Sequence, residues 1–569
     1  MKLWRRLSVC LIVCLTTLNN YAQVAVINGR VINRTTGRSL PYVNVWLSGH
    51  TLGTSTNIDG IFELRLPVQL IDSTKKISLS CIGYETRELL LSSVRNRQNL
   101  IVELNPSTTK LAEIVVHSDK YKKKLENQAR KIVLKAISRI PRNYPSDNFT
   151  LHTFYRHYCA ENDTYVRLIE SAIDVNNIRG NMGFVEIPKE KLAFGLRQLR
   201  RSFDFKENAR IYHPPISLNF LLCNDITSFR YHNPIMEGLG NYTLSISDTT
   251  RLGNDEVYVI DFDKTHFDGL VDDIHYAGQL FILKKNYAIV RADVFESKGK
   301  YNLSDSVYTY NQRIVLYREV NSKYYLDRLS SDLSVHQYLL DHERNIVDSL
   351  IHTSHIELIS NDITIEPTGQ FQNTELDRSG LLDIKYDSTF WNSYTVLKAT
   401  ELEQKIINDL SQKVSLDRQY EAFNKIENGG ISVLQSNEFS ALIEKYRGVP
   451  LYVILWLDPS RMNILELEPT PYFKRKIRKD KIKLLFVGLD DDHENWLNQR
   501  QFYGLNNGFN MHERLNYGFD EEILKEYLNN SFPYYVFINK DGRPENLDLP
   551  LPSYDRIRQY IKPHLKKRK

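Results

Sequence analysis

Cysteine is scarce in this chain, five residues in 569, and beyond Cys223 there is none. A thiolate is the nucleophile of disulfide exchange, so the C-terminal half has no thiol chemistry of its own. Cys10 and Cys14 lie in an N-terminal apolar run, which leaves Cys81, Cys159 and Cys223 scattered over expected strands. Three dispersed thiols are no disulfide framework; they read as small buried residues of cores. Long apolar runs are missing too. The N-terminal run, residues 7–15, is too short to span a bilayer, and no later segment is apolar enough to cross one. A strong excess of charge of one sign is also absent from the body of the sequence. The net charge of +5 traces to Lys2, Arg5 and Arg6 at one end and to Lys562, Lys566, Lys567, Arg568 and Lys569 at the other. The body between is close to neutral, so no nucleic-acid partner is expected. No zinc-protease motif and no EF-hand pattern occur, and no metal or cofactor is expected.

What is present describes a globular protein, with 42% hydrophobic and 25% charged residues. The length suits three or four domains. Residues 1–22 read as a secretory signal: a basic start, the apolar run, then a polar stretch with Ala22 before the cleavage point. An exported product is expected, in the periplasm or on the periplasmic face of the outer membrane, with at most peripheral membrane association.

Residues 23–118 show short strands with turn signals every eight to twelve residues. The alternation in Ile61-Phe62-Glu63-Leu64-Arg65-Leu66 places Phe62, Leu64 and Leu66 on one face. About seven strands form a small β-sandwich by period alone. Gly29-Arg30-Val31, Leu40-Pro41-Tyr42-Val43-Asn44-Val45, the run from Gly53 to Phe62, and Cys81-Ile82-Gly83-Tyr84 resemble the carboxypeptidase regulatory-like domain. That resemblance implies a transthyretin-like sandwich, common at the start of exported Bacteroidetes proteins, and implies no peptidase activity.

Residues 119–369 open with a helical stripe, Leu125, Ala129, Ile132, Val133, Ala136, Ile137 and Ile140, which Pro141 and Pro145 are expected to end. A long strand-rich stretch rich in Tyr follows, including a hairpin turning at Lys284-Lys285-Asn286. A large, curved antiparallel sheet is expected. Its spacing resembles the half-barrel of periplasmic lipoprotein-carrier proteins. Arg156 and Glu170 are candidates for a buried pair in this sheet. His152 and His157 fall on opposite strand faces and make poor joint metal ligands. Residues 370–435 read as a connector with a polar helix near residues 400–412.

Residues 436–569 alternate strand and helix. Leu451-Tyr452-Val453-Ile454-Leu455-Trp456 is fully apolar, the mark of a strand buried on both faces. The order of elements, with Gly488-Leu489-Asp490, Trp496, Phe532-Pro533 and Lys540-Asp541-Gly542, resembles thioredoxin-like thiol–disulfide oxidoreductases of the TlpA type. In that family a Cys-x-x-Cys motif follows the first strand. Here its two sulfur positions read Ser460 and Asn463, with Pro459 before them. The resemblance implies that Phe532-Pro533 is a cis peptide facing this loop and that Trp456, Phe532 and Pro533 border a groove for extended polypeptide. Ser460 is expected to cap a helix, since serine catalysis needs an adjacent base and no histidine lies within thirty residues. Asp490, Asp491, Asp492 and Glu494 read as a solvated loop.

The expected fold is therefore multidomain: an all-β transthyretin-like sandwich, a central β-rich α+β domain and a C-terminal α/β thioredoxin-like fold. The expected function is non-catalytic binding or scaffolding of a protein or peptide partner in the cell envelope. The alternative is a thiol–disulfide oxidoreductase-related enzyme, or an activity in the central domain.

Overall fold

In a computed structural model, the residues described are 24–72, 74–94, 99–107, 119–162, 164–177, 192–202, 218–228, 239–264, 274–301, 305–340, 345–365, 386–412, 415–420, 437–456, 475, 481–489, 496–497, 511–515 and 534–546. The expected signal segment lies outside them.

Seven short strands make up the N-terminal unit: β1 (Val24–Asn33), β2 (Asn44–Leu47), β3 (Gly53–Ser55), β4 (Ile61–Pro67), β5 (Lys76–Ser80), β6 (Arg87–Leu90) and β7 (Leu100–Leu104). They form two sheets, ordered β4-β1-β7 and β3-β2-β5-β6. The period-2 pattern explains why these segments pair: Phe62, Leu64 and Leu66 are fully buried, as are Val43, Val45 and Leu47, in one core.

Ten strands form one antiparallel sheet: β8 (Phe149–Glu161), β9 (Thr164–Asn177), β10 (Leu192–Arg201), β11 (Tyr242–Leu252), β12 (Asp255–Lys264), β13 (His275–Leu283), β14 (Ile289–Tyr301), β15 (Asp305–Val320), β16 (Lys323–Leu340) and β17 (Ile346–Ile365). Their order is β10-β9-β8-β17-β16-β15-β14-β13-β12-β11. Two meanders, β8 to β10 and β11 to β17, are joined where β17 pairs with β8. Register shifts at Leu196/Gln198, Ile246/Asp248, Leu316/Tyr317 and Ser360/Asp362 are bulges, and each bends its strand and raises the local twist. Helix α1 (Asp119–Asn143) lies against one face. Its stripe Ala129, Ile132, Val133, Ala136 and Ile140 joins Tyr155, Leu280, Val315, Leu329 and Leu358 in the largest core, together with α2 (Leu218–Leu222). Pro141 does not end α1. It sits inside the last turn, and the chain leaves the helix at Tyr144, whose hydroxyl donates to Ile289 O at 2.7 Å.

The described part of the segment expected as a connector, residues 386–412 and 415–420, is packed on the opposite face of the sheet. Helix α3 (Ser388–Ser393) inserts Trp391 beside Phe154 and Ile359. Helix α4 (Glu401–Leu410) buries Ile406 and Leu410 against Leu168 and Tyr420. The sandwich docks on the same side. Thr51 Oγ1 donates to Asp362 at 2.5 Å, and Asn57 Nδ2 donates to Lys398 O at 3.0 Å. The approach is close enough that a Cβ on Gly53 would fall 2.9 Å from Arg318 Nη1.

The C-terminal unit has α5 (Asn437–Glu444) and the strands β18 (Leu451–Trp456), β19 (Lys483–Leu489), β20 (Met511–Leu515), β21 (Tyr534–Ile538) and β22 (Pro544–Asn546). Their order is β20-β19-β18-β21-β22. The first three are parallel, whereas β21 runs antiparallel to β18 and β22 antiparallel to β21. All six residues of β18 are buried, which its unbroken apolar run requires of a strand covered on both faces. Strand β20 had no expectation in the sequence. It is a polar edge strand, Met-His-Glu-Arg-Leu, and such a run carries little apolar signal.

Candidate functional site

The densest chemistry lies between the large sheet and the segments that cover it. One row across the sheet aligns Glu357 of β17, Arg156 of β8, Glu170 of β9 and Arg200 of β10. The adjacent row aligns Leu358, Tyr155, Ser171 and Leu199. Side chains alternate across a strand, so the first row faces the cover while the second faces the apolar core. Glu357 and Glu170 stand among apolar strand residues, in His355-Ile356-Glu357-Leu358-Ile359 and Leu168-Ile169-Glu170-Ser171-Ala172.

Arg156 is the centre. Its Nε donates to Glu170 Oε1 at 2.8 Å, its Nη1 to Glu403 Oε1 at 2.5 Å and its Nη2 to Leu397 O at 2.8 Å. Arg200 reaches the other oxygen of Glu170 at 2.6 Å and lies over the Trp391 ring, 4.4 Å from its centroid. Glu357 is 1% exposed and pairs with Arg328 at 2.5 Å. Arg328 Nη1 continues to Ser55 Oγ at 2.9 Å and Thr56 O at 3.3 Å, and its guanidinium sits over Tyr42. His355 stacks on Tyr158, with Nδ1 2.6 Å from Asp332 and Nε2 3.8 Å from Glu357. Glu403 also closes a capping box on α4: its Oε2 accepts from Thr400 N, and Thr400 Oγ1 accepts from Glu403 N.

The electrostatics follow from this geometry. Burial alone would raise Glu357, but Arg328, His355 and Arg156 outweigh it and hold the carboxyl at about 2. Burial would likewise raise Glu170, yet Arg200 and Arg156 leave it below the usual carboxylate range. Burial would lower His355, but Asp332 and Glu357 lift it to about 9. Glu403 goes the other way, because burial outweighs Arg156 and nearby Glu357 adds repulsion. Four cations therefore face four carboxylates, drawn from the sheet and α4, with sandwich groups completing the Arg328 shell. Each guanidinium already holds its protein partners. The arrangement fastens segments together through paired charges.

The opposite face holds a second polar group. His157 Nε2 lies 2.9 Å from Ser354 Oγ and 3.2 Å from Cys159 Sγ, and Arg167 approaches that sulfur at 3.6 Å. His152, on the other strand face, is half-exposed between Asp174 and Thr364. A cavity of about 20 Å³ lies beside Tyr144, Asp225 and Tyr317, room for about one water. Burial pushes the Cys81 and Cys223 thiols up to about 11, and the three described cysteines form no disulfide.

Of the sites expected from the sequence, Arg156 and Glu170 do pair. Trp456 is fully buried, and a Cβ on neighbouring Gly488 would meet both Trp456 and Trp496. Ser460, Asn463, Phe532 and Pro533 lie outside the described residues, as do Asp490, Asp491, Asp492 and Glu494. Among the described residues no cluster of three or more His, Cys, Asp or Glu side chains has metal-binding geometry, and no helix is long and apolar enough to cross a membrane. The sequence did not reveal Glu357, Arg328 and Glu403 as partners of the Arg156 site. For Glu357 alone was there a signal, a charge standing between apolar strand residues.

Comparison with known proteins supports the N-terminal resemblance: the CarboxypepD_reg-like domain family matches residues 27–116. Comparison with curated proteins returns no match. Among solved structures, a putative thiol-disulfide oxidoreductase from Bacteroides vulgatus, in solution, is 18% identical over 21% of this chain and 76% of its own, with a TM-score of 0.16. A crystal structure of another putative thiol-disulfide oxidoreductase from Bacteroides vulgatus is 25% identical over 21% of this chain and 82% of its own, with a TM-score of 0.15. The C-terminal domain of a putative thiol-disulfide oxidoreductase from Bacteroides thetaiotaomicron is 18% identical, covering 23% of this chain and 82% of its own, with a TM-score of 0.16. TM-scores this low establish no shared fold over the chain.

Proposed function

We propose that the chain is an exported, non-catalytic binding or scaffolding protein of a Bacteroidetes-type cell envelope, with a protein or peptide partner and a thioredoxin-like C-terminal unit that transfers no electrons. The observation that carries this reading is the missing thiol. No cysteine follows Cys223, and Ser460 and Asn463 stand where a Cys-x-x-Cys pair would. A hydroxyl and an amide cannot replace a thiolate in disulfide exchange. Support comes from the remaining thiols, since Cys81 and Cys223 at about 11 are protonated at neutral pH. The buried charge network adds to it, because it spends its ionisable groups on joining segments.

The test is insulin reduction by the full chain in dithiothreitol, beside Ser460→Cys/Asn463→Cys in the same chain. No turnover above the reagent blank is expected for the natural sequence. Turnover by it would overturn the reading. The binding half is tested separately by amide exchange in Leu451–Trp456 and Tyr534–Ile538, with and without a reduced, alkylated unfolded polypeptide. Slowed exchange is expected, and unchanged exchange at millimolar polypeptide would contradict it.

A further inference from the structure

Helix α1 turns its apolar stripe into the core, and its outer side carries a line of cations. Lys123, Lys124, Lys131, Lys135 and Arg142 are exposed. At 100° per residue, Lys124, Lys131, Lys135 and Arg142 fall within one narrow stripe, apart from the arc that carries Ala129, Ile132, Val133 and Ala136. The stripe runs about 27 Å, at 1.5 Å per residue. The helix's described acid, Glu126, is already paired with Arg130 at 2.9 Å. Among the described residues, Lys123, Lys124, Lys131 and Arg142 have no carboxylate within ion-pair distance, and Lys135 lies over the Tyr287 ring at 4.2 Å. An open depression of about 550 Å³ lies against Lys123, Lys124, Asn127, Gln128 and Lys131. The end of the stripe gains another cation, because Lys323 Nζ donates to Arg142 O at 2.7 Å. In a chain whose body is close to neutral, this is a local concentration of one sign.

We propose that the outer face of α1 is a docking surface for an anionic, phosphate-bearing lipid surface. Charge complementarity carries the choice of occupant. A linear row of amines with amide side chains beside it matches a plane of phosphates, and a rigid row can meet many headgroups at once. A free amphipathic helix would bury its apolar side in the bilayer. In α1 that side is already used by the sheet, so only the cations are available. Attachment is therefore electrostatic, without insertion, and sensitive to salt. This inference is independent of the C-terminal unit.

The test is flotation of the full chain with vesicles of phosphatidylcholine alone or with one-third phosphatidylglycerol, at 50 and 500 mM NaCl. Binding to the anionic vesicles alone, lost at high salt, is expected. Each cation lost should weaken it by about fivefold and each reversal by more, so Lys124→Glu/Lys131→Glu/Lys135→Glu/Arg142→Glu should abolish it. Leu134→Ser, off the stripe, should leave binding within twofold. Circular dichroism and thermal melting show whether each variant is folded. If the fourfold variant fails to fold, Lys124→Gln/Lys131→Gln carries the same test with a smaller expected loss. Equal binding to neutral vesicles, binding unchanged in a folded stripe variant, or competition by millimolar inorganic phosphate to the same extent as by anionic vesicles would each overturn the proposal. So would tight binding to a soluble polyanion with no vesicle binding.

Discussion

The two faces of the ten-stranded sheet are built from the same strands, one residue apart, on opposite physical principles. On one face Tyr155, Leu358, Leu329 and Val315 join the stripe of α1 in a core held mainly by apolar burial. On the other, Arg156, Glu170, Glu357 and Arg328 meet α4 and the sandwich through charged hydrogen bonds. Apolar burial is non-directional and tolerates rearrangement of similar volumes. Buried ion pairs fix distance and angle, and a broken one leaves an unpaired charge. The contrast explains how segments some 270 residues apart in sequence, Ser55 and Arg328 among them, are held in one register.

The sharpest way to break the comparison is to remove one partner on the charged face. Arg156→Ala should destabilise by about 3–5 kcal/mol, since it strands Glu403 and the carbonyl of Leu397 and leaves Glu170 to Arg200 alone. Urea denaturation followed by Trp fluorescence measures it. Replacing Arg328 and Glu357 together by Met and Leu should cost far less than either single change, because no charge is left unpaired. On the apolar face, Leu358→Ala should cost about 2–5 kcal/mol through transfer and cavity terms, with no dependence on pH.

The charged face should respond to pH where the apolar face does not. His355 moves from 6.5 when unfolded to about 9. Its contribution is fully present below pH 6.5 and is lost as pH rises through about 9. Glu357 moves from 4.5 to about 2, so its contribution is present above pH 4.5 and is lost as pH falls toward 2. The urea midpoint should therefore be highest between those limits, and His355→Asn should flatten its alkaline fall. The smallest effect belongs to the helix cap. Thr400→Ala removes one half of the capping box and should cost about 1 kcal/mol, read as a small shift in thermal midpoint.

The legibility of these features in the sequence differs in the same way. The sandwich was readable because Phe62, Leu64 and Leu66 alternate, and α1 because Ala129, Ile132, Val133, Ala136 and Ile140 keep helical spacing. Periodicity is local, and so are these signals. The β13–β14 hairpin declared itself through Lys284-Lys285-Asn286. The charge network was mostly hidden, because Arg156 meets Glu403 across 247 positions and nothing in either neighbourhood names the other. The docking of α3 and α4 was hidden for a related reason: Trp391, Ile406 and Leu410 are too few to mark a buried segment without the sheet they cover. The cationic stripe of α1 was readable residue by residue, but the net charge of the chain concealed it.

The measurement that bears most directly on the account is amide hydrogen exchange of the full chain with Arg156→Met against the natural sequence. The expected result is faster exchange in Glu401–Leu410 and around Arg200, with α1 and the apolar row through Leu329 and Leu358 retaining their protection. Unchanged protection of Glu401–Leu410, or equal loss on both faces, would show that the charged face does not hold its cover.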